Sequence, residues 1–366
     1  EIKDVLVIGG GPAGVAAALA AGRSGADTLL IERAAYLGGM MTGGLVISLN
    51  GYRLHKDYVK GFPTSNWDTQ LIVKGISLEI MTRVQKTKGA LDQGHLGDPS
   101  VRENIDPEIM VHVLDQMMEE SGVNVLFNTF TFDAVVEKGI LKGVALANKS
   151  GPQVVLADVV VDTTGDADIA AAAGVPFELG RKEDGRYHGG ALLMEIGGIN
   201  VDRLIEYLKN RPEKTGVEKK KLEEELSQML GGGGPRHHNL LTLDGNWGYF
   251  SMAGAAKPLD QTEVDRRAGN YLRLPNLDEE WLEFIKEGTV PPLLRVPKLI
   301  YPAAPSISRL GVIRQGKMRY DQLTTGMHET FFDQTNEKEI SHALIYMRKV
   351  DRIYMKFLNE RIPGFE

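Results

Sequence analysis

The first apolar run, Val5-Leu6-Val7-Ile8, is uninterrupted and lies between Asp4 and Gly9. Such a run predicts a short strand buried on both faces, as in a parallel sheet. After the turn Gly9–Gly14, the alanine-rich Val15–Ala21 predicts a closely packed helix ending near Gly22 and Gly25. Thr28–Ile31 predicts a second strand, closed by Glu32. Strand, turn, helix and strand in that order imply a right-handed crossover and parallel pairing. From Gly38 to about Gly75 the chain is glycine-rich and reads as irregular. Asp106-Pro107 then starts a helix, the acid as cap and the proline in the first turn. Ile109, Met110, Val113, Leu114, Met117 and Met118 form its apolar face, and Gly122 stops it. Val123–Phe127, Phe130–Val136 and Ile140–Ala147 predict strands. Asp158–Asp162 predicts another buried strand, which ends in Thr163-Thr164-Gly165-Asp166 before an alanine-rich helix.

Past Gly180 the pattern changes. Val201–Asn210 and Val217–Leu230 predict exposed helices, Gly231–Gly234 a flexible joint, and a mixed aromatic-bearing region runs to about Asp333. Asn336, with Glu339 three residues on, predicts a capping-box-like start to a long helix. Ile340, Ala343, Leu344, Met347, Val350, Ile353 and Phe357 would be its apolar stripe. A chain of 366 residues suits two or three domains. The expected architecture is α/β: a discontinuous Rossmann-like domain with a parallel sheet at 1–180 and 331–366, and an inserted mixed α+β substrate domain at 181–330.

Composition narrows the function. The net charge of −7 argues against nucleic acid or anionic membrane as partner. The one basic cluster, Lys219-Lys220-Lys221, is followed by Glu223-Glu224-Glu225 and suits a solvated helix. Val5–Gly22 carries no charge over 18 residues, but the glycines and Pro12 divide it into strand and helix rather than a membrane span. With no cysteine, thiol nucleophiles, dithiol redox chemistry, thiolate zinc sites and iron–sulfur clusters are excluded. A cytoplasmic location is expected, with a removed leader left open because the first residue is Glu1. Glycine is in excess, 42 residues or about 11% against roughly 7% on average. Tight turns, or backbone approaching a ligand, account for such an excess.

Those glycines fall into a motif. Gly9-x-Gly11-x-x-Gly14 follows a strand and opens a helix, and Glu32 ends the next strand 23 residues after Gly9. That context is the dinucleotide-binding fingerprint. Gly9 allows the tight turn, Gly11 the approach to a pyrophosphate, and Gly14 close packing of helix on sheet. The helix N-terminus offers its amides and positive dipole to the phosphates. Glu32 can accept ribose hydroxyls and would repel a 2′-phosphate. Two further features favour FAD over NAD. Leu37-Gly38-Gly39-Met40-Met41-Thr42-Gly43-Gly44 would lay more backbone along a longer cofactor. Thr163-Thr164-Gly165-Asp166 would complete its cradle from another strand end.

The sequence resembles the FAD-dependent oxidoreductases of the glutathione-reductase-type FAD fold, and more narrowly the bacterial FAD_oxidored family. The resemblance is carried by DVLVIGGGPAGVAAALAAGRSGADTLLIER, YLGGMMTGGLV, GISLEI, DPEIMVHVLDQMMEESGVNVLFNT, ADVVVDTTGDADIAAAAGVPFELGR and the closing RIPGFE. It covers nearly the whole chain, weakly between about 181 and 330. It implies that Gly9, Gly11, Pro12, Ala13 and Gly14 line the pyrophosphate, and that Glu32 and Arg33 hold the adenosine ribose and its surroundings. Gly38, Gly39, Met40 and Thr42 would follow the ribityl chain, backbone near Thr131 would meet adenine, and Thr164, Gly165 and Asp166 would close the site. Members of the family usually continue past the P-G-F-E motif into a segment that touches the flavin. This sequence stops at Glu366, so either that segment lies outside it or the FAD site is incomplete.

A flavin dehydrogenase needs a hydride path to flavin N5 and usually a base. Of the eight histidines, four are candidates. His237 and His238 follow the glycine joint and Arg236, His188 lies between the expected domains, and His55 follows the segment nearest the flavin. A mobile surface loop, a strand edge and a solvated basic loop are their plainer readings. Arg236 or Arg295 could clamp an acidic substrate, or simply be a surface arginine. No metal-ligand spacing is present. The expected function is hydride transfer between a small organic substrate and flavin N5 at the domain interface, with FAD as cofactor and a homo-oligomer allowed. The electron acceptor does not follow from the sequence. The alternatives are an NAD-dependent dehydrogenase, a non-catalytic flavin-binding module, and a biosynthetic flavoprotein of thiazole-synthase-like or RNA-modifying type.

Overall fold

The computed structural model describes residues 2–49, 53–55, 69–71, 73–90, 103–182, 185, 190–211, 277–287, 312–315, 317–325 and 332–366. They form two compact units. The first comprises Glu1–Glu178 with Ile313–Lys317, and the second Leu179–Val312 with Met318–Glu366.

In the first unit β1 (Ile2–Ile8) leads through α1 (Pro12–Arg23) to β2 (Thr28–Ile31). A 3-10 turn at Gly39–Met41 and three short strands follow: β3 (Ser48–Leu49), β4 (Arg53–His55) and β5 (Thr69–Leu71). The stretch expected to be irregular therefore holds some pairing, β3 with β6 (Glu103–Asn104) and β4 with β5. These strands of two or three residues are too short to leave an alternation in the sequence. Next come α2 (Ile76–Lys86), α3 (Pro107–Glu120), β7 (Asn124–Leu126), β8 (Phe130–Glu137), β9 (Ile140–Asn148), β10 (Gly151–Asp162) and α4 (Asp168–Ala172). Six of the strands make one sheet in the order β7-β2-β1-β10-β9-β8. The pairs β7/β2, β2/β1 and β1/β10 are parallel, and β10/β9/β8 is an antiparallel meander.

Leu6, Val7 and Ile8 of β1 and all four residues of β2 are buried, as unbroken apolar runs in a covered parallel sheet should be. One face carries Leu6, Ile8, Leu29, Ile31, Val144, Leu146, Val155 and Ala157 in a common core. Each of the Leu, Ile and Val side chains among them is worth about 1.5–3 kcal/mol when fully buried. Asp158–Asp162 differs from the expected buried strand. Val159 is 52% exposed, and Val160 and Val161 are half-buried. The five-residue α4 is too short to cover this stretch of strand.

Asp106 caps α3 as expected, accepting the Glu108 amide, and its other oxygen accepts the Gln315 amide at 3.1 Å. That bond ties residues 313–317 to this unit. Arg23 meets Glu79 through both terminal guanidinium nitrogens, and Arg83 bridges Glu79 and Glu120, so one charge network joins α1, α2 and α3.

The second unit contains β11 (Met194–Gly197), α5 (Val201–Lys209), α6 (Asp278–Lys286), β14 (Gln322–Thr325) and α7 (Glu337–Arg361). β11 and β14 pair antiparallel, and between α6 and β14 the chain forms β12 (Val312–Arg314) and β13 (Lys317–Arg319). The expected helix at Val217–Leu230 lies outside the described residues. The core is aromatic. Trp281 stacks on Phe284 at 5.7 Å and meets Tyr354 and Phe357 edge-on at 5.2 and 5.1 Å. The stretch expected at 331–366 with the first domain packs here within the second unit. Tyr346, Met347, Val350, Tyr354, Phe357 and Leu358 of α7 share one core with α5 and α6, and so does Phe365. Asn336 caps α7, accepting the Lys338 and Glu339 amides, but the carboxylate of Glu339 reaches the Asp333 amide rather than closing the box on Asn336.

Half-buried Asp351 sits on α7 beside this core, and burial raises its carboxyl to about 6, from an ordinary 3.8. The folded protein then holds a proton that the unfolded chain has released. The contribution of this group to stability is greatest below about 3.8 and declines as pH rises to about 6. Asp351→Asn is expected to raise stability at pH 8 by on the order of 1 kcal/mol, after solvent screening, with little change near pH 4. Thermal melts across this range test it, and an equal shift at both ends would contradict the assignment. No helix among the described residues is long and apolar enough to cross a membrane.

Candidate cofactor site

The sheet order reverses at β1, with β2 on one side and β10 on the other. Ligands of open α/β sheets bind at the carboxyl ends of strands flanking such a point. Most of the expected cofactor residues gather there.

Gly9 has φ +102°, and a Cβ on it would overlap the Thr163 carbonyl oxygen. It therefore serves both the turn and the approach of β10. Gly14 packs in the same way: a Cβ there would overlap the Gly9 carbonyl and lie 2.7 Å from Thr163 Oγ1. Thr163 fastens this contact, its hydroxyl 2.8 Å from the Ile8 carbonyl and 2.9 Å from the Gly9 carbonyl. Gly11 is different. Its backbone is extended (φ −68°), and a Cβ would meet nothing within 4 Å. It is also the N-cap of α1, without a side-chain cap, and the first turn holds no acid. Pro12 and Ala13 are exposed beside it. The positive end of α1 thus faces open space across a glycine that its own fold does not require.

Glu32 is 9% exposed, and both of its oxygens hold backbone. Oε2 accepts the Gly10 amide at 2.5 Å and Oε1 the Ala34 amide at 2.7 Å. A carboxylate has about four acceptor positions, so two remain for ribose hydroxyls. Arg33 is exposed at the same strand end. The Gly38 amide donates to the Gly10 carbonyl at 2.8 Å, and a Cβ on Gly39 would stand 3.0 Å from Gly11 Cα. The second glycine pair therefore lies directly against the first. Met40 is 59% exposed, whereas Thr42 is buried and its hydroxyl donates to the Leu37 carbonyl at 2.8 Å.

The strand β8 starts at the same edge. The Asn128 and Thr129 amides donate to the Ala34 and Glu32 carbonyls, each at 3.1 Å. Two residues on, the Thr131 hydroxyl oxygen is buried without a hydrogen-bond partner. Past β10, Gly165, Asp166 and Asp168 are exposed and Thr164 is half-buried. Asp162 was read from the sequence only as a strand end. Burial pushes its carboxyl up, but hydrogen bonds from the Thr164, Ala170 and Ile169 amides and the Thr164 hydroxyl outweigh this and hold it below its ordinary value. Partial desolvation and the charges of Asp166 and Asp162 raise the Asp168 carboxyl, while the Arg33 charge opposes the rise.

His188, His237 and His238 lie outside the described residues, as do Arg236 and Arg295, and His55 is placed only as backbone of β4. Among the described residues no cluster of three or more histidines and acids could hold a metal.

The residues present fit a dinucleotide. An uncapped helix end, an open glycine, a second glycine backbone and a buried acid with spare acceptor positions all converge. A family profile described as FAD dependent oxidoreductase matches residues 4–366. Over 173 residues the chain is 30% identical to digeranylgeranylglycerophospholipid reductase of Methanoculleus marisnigri, covering 47% of this chain and 41% of the relative. It thus spans less than half the length of that curated relative. Among solved structures it is similar to a geranylgeranyl bacteriochlorophyll reductase-like protein from Thermoplasma acidophilum: TM-score 0.38, 20% identity, 55% of this chain and 48% of that one. It is also similar to the L-proline dehydrogenase of P. horikoshii: TM-score 0.35, 17% identity, 55% and 62% covered.

Proposed function

The chain belongs to the FAD-dependent oxidoreductase family, and on that premise we propose that it moves a hydride between a small organic substrate and flavin N5. The observation that best supports this reading is the open approach at Gly11, beneath an α1 N-terminus that no side chain caps. FAD supplies an isoalloxazine ring that takes or gives a hydride at N5. The chain's own residues bind and orient. The first-turn amides of α1 meet the phosphates, and the helix dipole favours their negative charge. Glu32 accepts ribose hydroxyls while keeping the Gly10 and Ala34 amides. The Gly38–Gly39 backbone runs beside the same cofactor, and Asp166 closes the site from the end of β10. The proton that accompanies the hydride goes to a histidine, with His55, His188, His237 and His238 as candidates.

Anaerobic bleaching tests the reading. Purified protein carrying FAD is mixed with hydroxy acids, amino acids, sugars and enones. An isoprenoid alkene is included because the relative from M. marisnigri is a digeranylgeranylglycerophospholipid reductase. One donor is expected to bleach the visible flavin band, or one acceptor to restore it after chemical reduction. A flavin that stays unchanged against the whole panel would remove the hydride-transfer proposal.

A further inference from the structure

The helix α4 lacks a cap of its own. Its N-cap is Ala167, a non-glycine residue at φ +60° with no side chain able to cap. Asp162 does this from five residues upstream, its Oδ2 accepting the Ile169 amide at 3.0 Å and the Ala170 amide at 2.8 Å. Its Oδ1 accepts the Thr164 amide at 3.0 Å and the Thr164 hydroxyl at 2.8 Å. Thr164 Oγ1 in turn accepts the Asp168 amide at 3.0 Å. The hydroxyl has then given its one proton to Asp162, and the Thr164 amide is also taken. Thr164 therefore has no donor left for a ligand. The amides of Gly165 (φ +95°) and Asp166 are not used in this network.

We propose that Asp162 and Thr164 are positioning residues. Together they hold the left-handed Gly165–Ala167 turn at the carboxyl end of β10, so that the Gly165 and Asp166 amides and the Asp166 carboxylate meet FAD already in place. Of the three residues that the family resemblance implies close the site, Gly165 and Asp166 keep direct contact with the cofactor and Thr164 acts through them. The inference rests on the FAD reading above. It adds that the turn's shape, set by a carboxylate that never touches the cofactor, governs affinity, since a site ordered in advance loses less entropy on binding.

The test uses the full chain stripped of cofactor and titrated with FAD, with the visible circular dichroism of the bound flavin as a second readout. Asp162→Asn puts an NH2 group against amides that need an acceptor, and Thr164→Val removes the hydroxyl link. Each is expected to weaken FAD binding about 10- to 100-fold and to alter the flavin dichroism. Thr164→Ser keeps the hydroxyl and is expected to recover most of the affinity and the wild-type spectrum. Wild-type affinity and spectrum in both Asp162→Asn and Thr164→Val would overturn the proposal, as would a Thr164→Ser loss equal to that of valine. If Asp162→Asn does not fold, the valine–serine comparison decides alone. Failure of the wild-type chain to bind FAD would instead overturn the reading on which the proposal rests.

Discussion

Gly11→Ala is expected to strip the protein of FAD while leaving the cofactor-free fold at least as stable as before. Gly11 sits at φ −68°, ψ −175°, a conformation open to any residue, and a Cβ would touch nothing within 4 Å. Replacing such a glycine restricts the unfolded chain and stabilises by roughly 0.4–1 kcal/mol. The same methyl group stands where a pyrophosphate would approach the backbone. Retreat by even a few tenths of an ångström weakens several charge-assisted contacts together. A loss of about 100-fold or more in FAD affinity is expected, near 3 kcal/mol. Thermal melts of the stripped protein and FAD titration measure the two halves separately. Lower stability without FAD, with affinity kept, would show that the open space at Gly11 is not the phosphate site.

Gly14→Ala should act in the opposite way, on the fold before the ligand. A Cβ there overlaps the Gly9 carbonyl and crowds Thr163 Oγ1, and most of what it meets is backbone. The Gly9 carbonyl, being backbone, cannot turn aside. Relief requires α1 to lift from the ends of β1 and β10, and Thr163 Oγ1 lies within hydrogen-bonding reach of the Ile8 and Gly9 carbonyls there. Overpacking of this kind costs about 3 kcal/mol or more, which lowers Tm by roughly 6–12 °C in a unit of this size. FAD affinity falls with it. A wild-type melting temperature in Gly14→Ala would mean that helix and strand are not held as closely as described.

The contrast between these glycines marks what the sequence could show. Both were legible as part of one motif, because the motif's spacing follows from local geometry. So were β2, the Asp106 cap and the Asn336 cap, which depend on neighbours a few residues away. Glu32 was legible as the acid that ends β2, but its hold on the Gly10 and Ala34 amides was not. Asp162 was legible as the end of a strand, but its hold on the Thr164, Ile169 and Ala170 amides was not. Its partners come within reach only because Gly165 and Ala167 turn left-handed, and an alanine gives no hint of that. The partner of α7 was hidden for another reason. An apolar stripe says that a helix has a face to bury, not what it faces. Trp281, which α7 packs against, is 73 residues away from Tyr354 and belongs to a short helix.

The pairing of β1 with β10 matches Ile2 with Leu156 and Ile8 with Asp162. Once made, β1 thus waits for about 150 more residues before one of its two edges is covered. At 5–20 residues per second, translation takes roughly 8–30 s to supply them. During that interval an apolar strand edge is open to any other strand that passes, which is the usual route to misassembly. The turn around Gly9 packs against Thr163, whose hydroxyl lies 2.8 and 2.9 Å from the Ile8 and Gly9 carbonyls. The Gly9 turn therefore reaches its native packing only once residue 163 has left the ribosome.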